Sequence, residues 1–435
     1  MSLRKTARRG FTLVELMVAM SAGLMVAAAA YTLSKNSLDV FQNESRGFAA
    51  QFSGMNGMTR LSADIRRAGF MTSANSKLDP FRCGDMPGGA ETRLLSAMVV
   101  VRGSSPSYAN DSAVTAPDYD TFSSTFTGTD NNRSPDRVRV AGNFATTEMF
   151  DLSTYDATDG STMMLQVDSP AVQRVFEESL SGGPDICDLF SPKDDGGTRR
   201  TRFATVTTSA GQTGFVKVSN CVSTNATDGT NYDSVKLTVA FVQSANRCKE
   251  APKTIAPTVL IEYFMAHIDD AADATATGLD ASMADLTTPY QSAVTGDDDR
   301  MELVRREILA DGSVLSGSAE IVSEYVVDLR FAFRALANPP PSVPTLVDFN
   351  DTANVDPASG TATHRPERIR STLIRLSTRS RSPDRAEGVA AVPTFDQPLT
   401  RFAVFPSTST VPTRFSRVRT MTTEVVVPNL AGLVW

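Results

Sequence analysis

From Phe11 to Leu33 the sequence is almost wholly apolar, and no other stretch limits the possible folds so strongly. At 1.5 Å per residue, roughly 23 helical residues can cross a bilayer core of about 30 Å. Arg4, Lys5, Arg8 and Arg9 precede the run, whereas Lys35 stands alone before Asp39 and Glu44. Basic residues stay on the cytoplasmic side, so the pattern predicts an N-terminus inside and the rest of the chain outside the cytoplasm. Glu15 interrupts the run. A carboxylate in a membrane segment costs about 3 kcal/mol on insertion scales, and such groups are generally paired and functional. The segment supplies no other charge. Cutting the chain after Gly10 would create one, the new α-amino group of Phe11, close to Glu15 of the same or a neighbouring copy. The alternative, an ordinary secretory signal with its small-residue cleavage site within Ala27 to Ala30, leaves Glu15 without a purpose.

The order of these residues, Arg8-Arg9-Gly10-Phe11-Thr12-Leu13-Val14-Glu15-Leu16 and then an apolar helix, resembles the class III signal of type IV pilins and type II secretion pseudopilins. The resemblance implies that a membrane peptidase cuts after Gly10 and methylates the new N-terminal Phe11. It also implies that Glu15 is the assembly carboxylate, pairing with the N-terminus of an adjacent subunit.

Beyond Leu33, apolar residues recur at helical spacings: Leu38, Phe41, Phe48, Phe52, Met55, Leu61 and Ile65. They predict that one helix continues, now amphipathic, to about Ala68, with this stripe laid on a sheet and Gly69 as its C-terminal cap. Gly47, Gly54 and Gly57 each cost up to about 1 kcal/mol against Ala, which predicts a bend there. In Arg60-Leu61-Ser62-Ala63-Asp64-Ile65-Arg66-Arg67-Ala68-Gly69-Phe70, the residues Leu61, Ile65 and Ala68 share a face, leaving Asp64, Arg66 and Arg67 for water.

From Phe70 the signals are those of short strands bounded by Gly, Asn, Asp, Ser or Pro. They fall at 98–102, 137–141, 163–167, 203–207, 214–218, 235–242, 259–264, 325–333, 369–377, 401–405 and 417–427. Ser169-Pro170 opens a short capped helix to Leu180. Residues 269–299 and 338–366, the latter with Pro339-Pro340-Pro341, read as loop insertions.

A formal charge of -7 offers no basic field for nucleic acid. Cys83, Cys187, Cys221 and Cys248 lie in the part placed outside the cytoplasm, where disulfides form. Of the three possible pairings we expect Cys83 with Cys187 and Cys221 with Cys248, the second pair bracketing one strand unit. With only His267 and His364 and no C-x-x-C spacing, we expect no metal site and no cofactor. Asp297-Asp298-Asp299 and Asp130-Asn131-Asn132 lack the glycine and spaced oxygens of a calcium loop and read as solvated acidic turns. No nucleophile elbow, zinc-protease motif or phosphate loop is present, so the sequence predicts a protein that is not an enzyme.

The stretch from Arg60 to Phe70 resembles the helix end of PilW-like minor pilins and GspJ-type minor pseudopilins. The Ser134-Pro135-Asp136-Arg137-Val138 stretch, and the final run from Arg417 to Asn429, resemble PilW-like patterns more loosely; Pro428-Asn429 stands where an Arg-Asn pair is usual. The resemblance implies an α+β fold: a long N-terminal transmembrane and amphipathic α-helix packed on an antiparallel β-sheet head, pilin-like and enlarged by β-rich insertions. It divides the chain into a removed basic leader (1–10), a transmembrane assembly helix (11–33), its amphipathic continuation (34–69) and a β-rich extracytoplasmic head (70–435).

The function implied is that of a minor pilin acting in priming and assembly of a type IV pilus, at or near the tip. A head of about 366 residues, with a radius of gyration of about 20 Å if compact, would crowd its neighbours along a closely packed fibre. Implied partners are other minor and major pilins, the prepilin peptidase, the inner-membrane assembly platform, a tip adhesin and the membrane itself, with no nucleic acid. The location implied is the bacterial inner membrane before assembly and the extracellular fibre afterwards. A GspJ-type pseudopilin of a secretion system is the first alternative; a membrane-anchored extracytoplasmic enzyme or sensor is the second.

Overall fold

The computed structural model describes residues 12–86, 90–101, 135–155, 161–227, 229–243, 248, 250–266, 279, 301–337, 346–349, 354–380, 401–404 and 414–431. Its helices are α1 (Leu13–Arg66), α2 (Ala90–Leu94), α3 (Pro170–Leu180), α4 (Ile186–Phe190) and α5 (Pro428–Ala431). The strands are β1 (Met98–Val101), β2 (Arg137–Gly142), β3 (Phe150–Tyr155), β4 (Thr162–Leu165), β5 (Arg202–Thr208), β6 (Thr213–Asn225), β7 (Tyr232–Phe241), β8 (Pro252–Ala266), β9 (Glu302–Ile308), β10 (Glu320–Ser323), β11 (Val326–Leu336), β12 (Leu346–Phe349), β13 (Ile369–Arg379), β14 (Arg401–Val404) and β15 (Arg414–Val426). An apolar N-terminal helix followed by an antiparallel, β-rich body makes the class α+β.

The chain divides into two units, Met1–Ala49 and Ala50–Trp435. In the first, residues Leu13–Leu38 of α1 have a mean hydropathy of 2.0 and are long and apolar enough to cross a membrane. Their side chains are exposed on every side, Leu13, Leu24 and Tyr31 among them. A helix that is apolar all round needs lipid or other helices around it.

In the second unit the last turns of α1 lie against a five-stranded antiparallel sheet ordered β12-β11-β13-β15-β14. The buried face is made of Ala50, Gly54, Gly57, Met58, Leu61 and Ile65. The stripe expected from the sequence therefore divides. Leu61 and Ile65 are core residues, but Leu38, Phe41, Phe48, Phe52 and Met55 are more than half exposed. Close approach is the reason: a Cβ on Gly54 would stand 2.0 Å from Met421 Cε, and one on Gly57 2.8 Å from Ser323 Cβ. At that distance the helix has room for no side chain at Gly54 and Gly57, and within this unit Phe52 and Met55 turn the other way. These glycines mark contact with the sheet, and α1 runs through them without interruption.

The larger sheet has ten strands. Six of them pair in the order β8-β3-β4-β7-β6-β5, and β5 returns to β8, closing a barrel. Ile255 of β8 is the seam, opposite Phe150 of β3 on one side and Val206 of β5 on the other. The second half of β8 leaves the barrel and pairs with β2 and β9, extending the sheet to β1 and β10. Fifteen-residue β8 is thus shared by two cores. One fills the barrel with Phe150, Val218, Leu237 and Ile255 plus Val172, Phe176, Ile186 and Phe190 from α3 and α4. Phe150 and Phe190 meet edge to face at 5.3 Å. The other gathers Leu61 and Ile65 of α1, Val138 and Val140 of β2, Ile261 and Tyr263 of β8, Phe331 of β11 and Ile374 of β13. Leu61 and Ile65 are fully buried, a gain of about 1.5–3 kcal/mol for each side chain.

Cys83 pairs with Cys248 and Cys187 with Cys221. This corrects the expected pairing of Cys83 with Cys187 and Cys221 with Cys248. Cys221 lies within β6, opposite Leu237 of β7. Cys248 follows β7 and sits beside Gly214, at the start of β6; a Cβ on Gly214 would be 3.2 Å from its Sγ. At about 3.3 Å per residue, β6 from Gly214 to Cys221 spans about 23 Å, far beyond the roughly 7 Å that limits the Cα separation of a disulfide. Cys187 on α4, by contrast, has its Cα 5.2 Å from that of Cys221.

Two further expectations change. The described part of 338–366 is no free linker: β12 pairs with β11, and Val355 bridges to Val100. The acidic segments at 130–132 and 297–299 lie outside the described residues, as does 269–299 apart from Leu279, which is buried against Phe264 and Val304.

Candidate functional site

Gly10 and Phe11 lie outside the described residues. Immediately after them Thr12 stands at the N-cap of α1, and Glu15 is the third residue of the helix. The Thr12 N–H and Oγ–H both donate to Glu15 Oε2, at 2.9 and 3.0 Å, and the Glu15 N–H donates back to Thr12 Oγ1 at 3.3 Å. This reciprocal arrangement is a capping box, Thr-x-x-Glu, which satisfies amides that the first turn of a helix leaves without partners.

The box changes the electrostatic account of Glu15. Within the apolar segment the sequence offers Glu15 no cation. The structure gives the carboxylate two donors from its own chain and places it in the first turn, where the helix dipole favours a negative charge. Hydrogen bonds to a charged group favour its ionised form and so work against the cost of an acid in an apolar segment. Both donors reach Oε2; Oε1 takes part in neither bond. The signal was present in the sequence as Thr12 three residues before Glu15.

The other end of α1 also differs from expectation. Asp64 does not face water: it is 5% exposed and accepts from Tyr263 Oη and from Arg305 Nε, both at 2.7 Å. Burial, then the charge of Asp64, pushes the Tyr263 hydroxyl pKa up. Arg67 donates to Asn143 O at 2.7 Å, with its guanidinium over the rings of Phe144 and Phe70. Arg66 is exposed. Asp136, from the loosely matching stretch, is buried and accepts the Phe331 N–H at 2.9 Å, tying the start of β2 to β11.

Two further buried ionisable groups carry clear shifts. Burial alone would push the Glu262 carboxyl pKa up, but the charges of Arg306, Arg137 and Arg139 outweigh it and hold the pKa at about 2. Arg306 Nη2 stands 2.9 Å from this carboxylate and Arg139 Nη2 3.2 Å. Burial, then a hydrogen bond to Asp185, pushes the Tyr232 hydroxyl up to about 12. General acid–base work needs groups that titrate near the working pH. Glu262 stays an anion at neutral pH and Tyr232 stays protonated, so both serve to fix the fold. Among the described residues no three His, Cys, Asp or Glu side chains come together as metal ligands would.

Residues 5–31 match the prokaryotic N-terminal methylation motif. None of the curated proteins and none of the solved structures matches the chain. The motif points to a type IV pilin or pseudopilin precursor, and together with the apolar helix Leu13–Leu38 it points to membrane anchoring.

Proposed function

We propose that this chain is a minor pilin of a type IV pilus, of the PilW-like kind, acting in the priming and assembly of the fibre at or near its tip. The observation that carries the reading is the methylation motif at residues 5–31. The Thr12–Glu15 box and the large β-rich body support it. In this reading the leader is removed after Gly10, and the subunit waits in the inner membrane with its body outside the cytoplasm. It then joins other pilins through its helix. Glu15, held at Oε2 by its own Thr12, meets the amino terminus of a neighbouring subunit and sets the vertical register. The chain performs no catalysis and uses no cofactor in this role.

Glu15→Gln separates the two duties of the residue, because glutamine also closes a capping box but carries no charge. We expect Glu15→Ala and Glu15→Gln both to be cut normally at Phe11, shown by N-terminal sequencing, and both to be missing from sheared fibres. Glu15→Gln present in fibres at the normal level would refute the charge-pairing role, and an N-terminus other than Phe11 would refute the pilin reading itself. Gene deletion that abolishes secreted enzymes while surface pili persist would move the chain to the pseudopilins of a secretion system.

A further inference from the structure

The exit of α1 is closed by the element that comes last in chain order among those described. The final carbonyls of a helix have no partners inside it and must find them elsewhere. Asn429 Nδ2 donates to Arg66 O at 3.2 Å and to Ala68 O at 3.3 Å, across 363 and 361 residues of sequence. Next to it Leu430 is fully buried in the core that also holds Leu61, Ile65 and Ala68. Gly69, with φ of +77°, leaves room for it: a Cβ there would stand 2.9 Å from Leu430 Cδ2. The segment is fastened to β13 as well, because Arg370 Nη1 donates to Leu430 O at 3.1 Å and the Val427 N–H donates to Arg370 O at 3.2 Å.

We infer that Val427 to Leu430 is a strap that fastens the end of α1 to the body, with the Asn429 side-chain amide as its clasp. The sheet under the helix is itself built from residues 326–426, so in the topology proposed above, on which this inference rests, export delivers the helix first, its sheet later and the clasp after both. Until the strap arrives, the carbonyls of Arg66 and Ala68 lack the amide donor, and the end of α1 is held by Asp64 on Tyr263 and Arg305 and by Arg67 on Asn143 without this final closure. The strap thus couples export of the distal end of the chain to locking of the helix on its body. It explains why Asn stands at this position: its amide donates where a carboxylate of the same shape could only repel the carbonyls.

The test uses the full chain in detergent and amide hydrogen exchange read by mass spectrometry over residues 64–70. Asn429→Ala and Asn429→Asp should each speed exchange there by about five- to tenfold, with Asp at least as fast as Ala, while β6 and β7 keep their protection. A chain stopped after Val427 should show the same local loss. Asn429→Asp that exchanges like the native chain would overturn the clasp, since Asp preserves the shape while it removes the donor and sets a negative charge beside the carbonyls. Full protection of 64–70 in the shortened chain would overturn the strap.

Discussion

Gly57 offers the sharpest test of how α1 meets its sheet, because two effects of known size act on it with opposite sign. Replacing a helical glycine by alanine gains about 1 kcal/mol of helix propensity. Against this, the new methyl would lie 2.8 Å from Ser323 Cβ and 3.3 Å from Leu376 Cδ2. Overpacking of this kind costs about 1–3 kcal/mol. Ser323 cannot easily retreat, since its Oγ is 3.1 Å from Ser53 Oγ and it sits at a register irregularity of β10. The clash should win: Gly57→Ala is expected to destabilise by about 1 kcal/mol, and Gly57→Leu, which drives a branched side chain into Leu376, by about 3 kcal/mol or more. Gly23, on the same helix, has nothing within 4 Å of an added Cβ, so Gly23→Ala should be neutral or stabilising. Hydrogen exchange over residues 50–66 in detergent, with thermal unfolding alongside, reads the two Gly57 variants, and exchange over residues 13–38 reads Gly23→Ala. A Gly57→Ala chain that is more protected than the native one would mean that the helix does not approach the sheet this closely, and the division of the apolar stripe would have to be abandoned.

Acid should loosen the body through Glu262. Its folded pKa of about 2 lies below the ordinary value of 4.5, so its contribution is complete above pH 4.5 and disappears as the pH falls toward 2; for a fully buried carboxylate this is about 3 kcal/mol. Glu262→Gln should be less stable at pH 7 and should lose less stability between pH 4.5 and 2 than the native chain; parallel curves for the two proteins would contradict the assignment. Peptide mapping without reduction should recover Cys83 linked to Cys248 and Cys187 linked to Cys221, and a Cys221–Cys248 peptide would overturn the hairpin geometry. In the chain-entropy account the bridges close loops of 165 and 34 residues, worth about 5 and about 4 kcal/mol. The Cys187→Ser, Cys221→Ser double variant should therefore weaken the barrel far more than any surface substitution, as measured by exchange in β6 and β7.

What could be read from the sequence was local, and what escaped it was mostly a matter of long-range geometry. The apolar run, the α+β class and a capped helix after Ser169 all rest on spacings of a few residues. The Thr12–Glu15 box is just as local, but a charge in an apolar run draws attention to an opposite charge and away from the threonine three residues before it. Barrel closure depends on Ile255 meeting Phe150 and Val206 at once, which no window of sequence displays. Strand β9 has no counterpart among the strands expected from the sequence, because Glu302, Arg305, Arg306 and Glu307 break up its apolar signal. In fact Arg306 is buried on Glu262, with its guanidinium 4.2 Å from the centre of the Phe264 ring. The same error, taking charge for exposure, put Asp64 in water. The misplaced aromatic stripe is its mirror image, since it took size and apolarity for burial. Both follow from one physical fact: a helix packed close to a sheet is chosen by what its face lacks as much as by what it carries. Glycine and alanine admit the approach, and a buried acid is tolerated where an arginine and a tyrosine are waiting for it. The exposed side of α1 within the second unit, with Phe52 and Met55, is then the part that no described residue of that unit covers. Under the proposed function, this apolar surface is where the helix of a neighbouring subunit would pack.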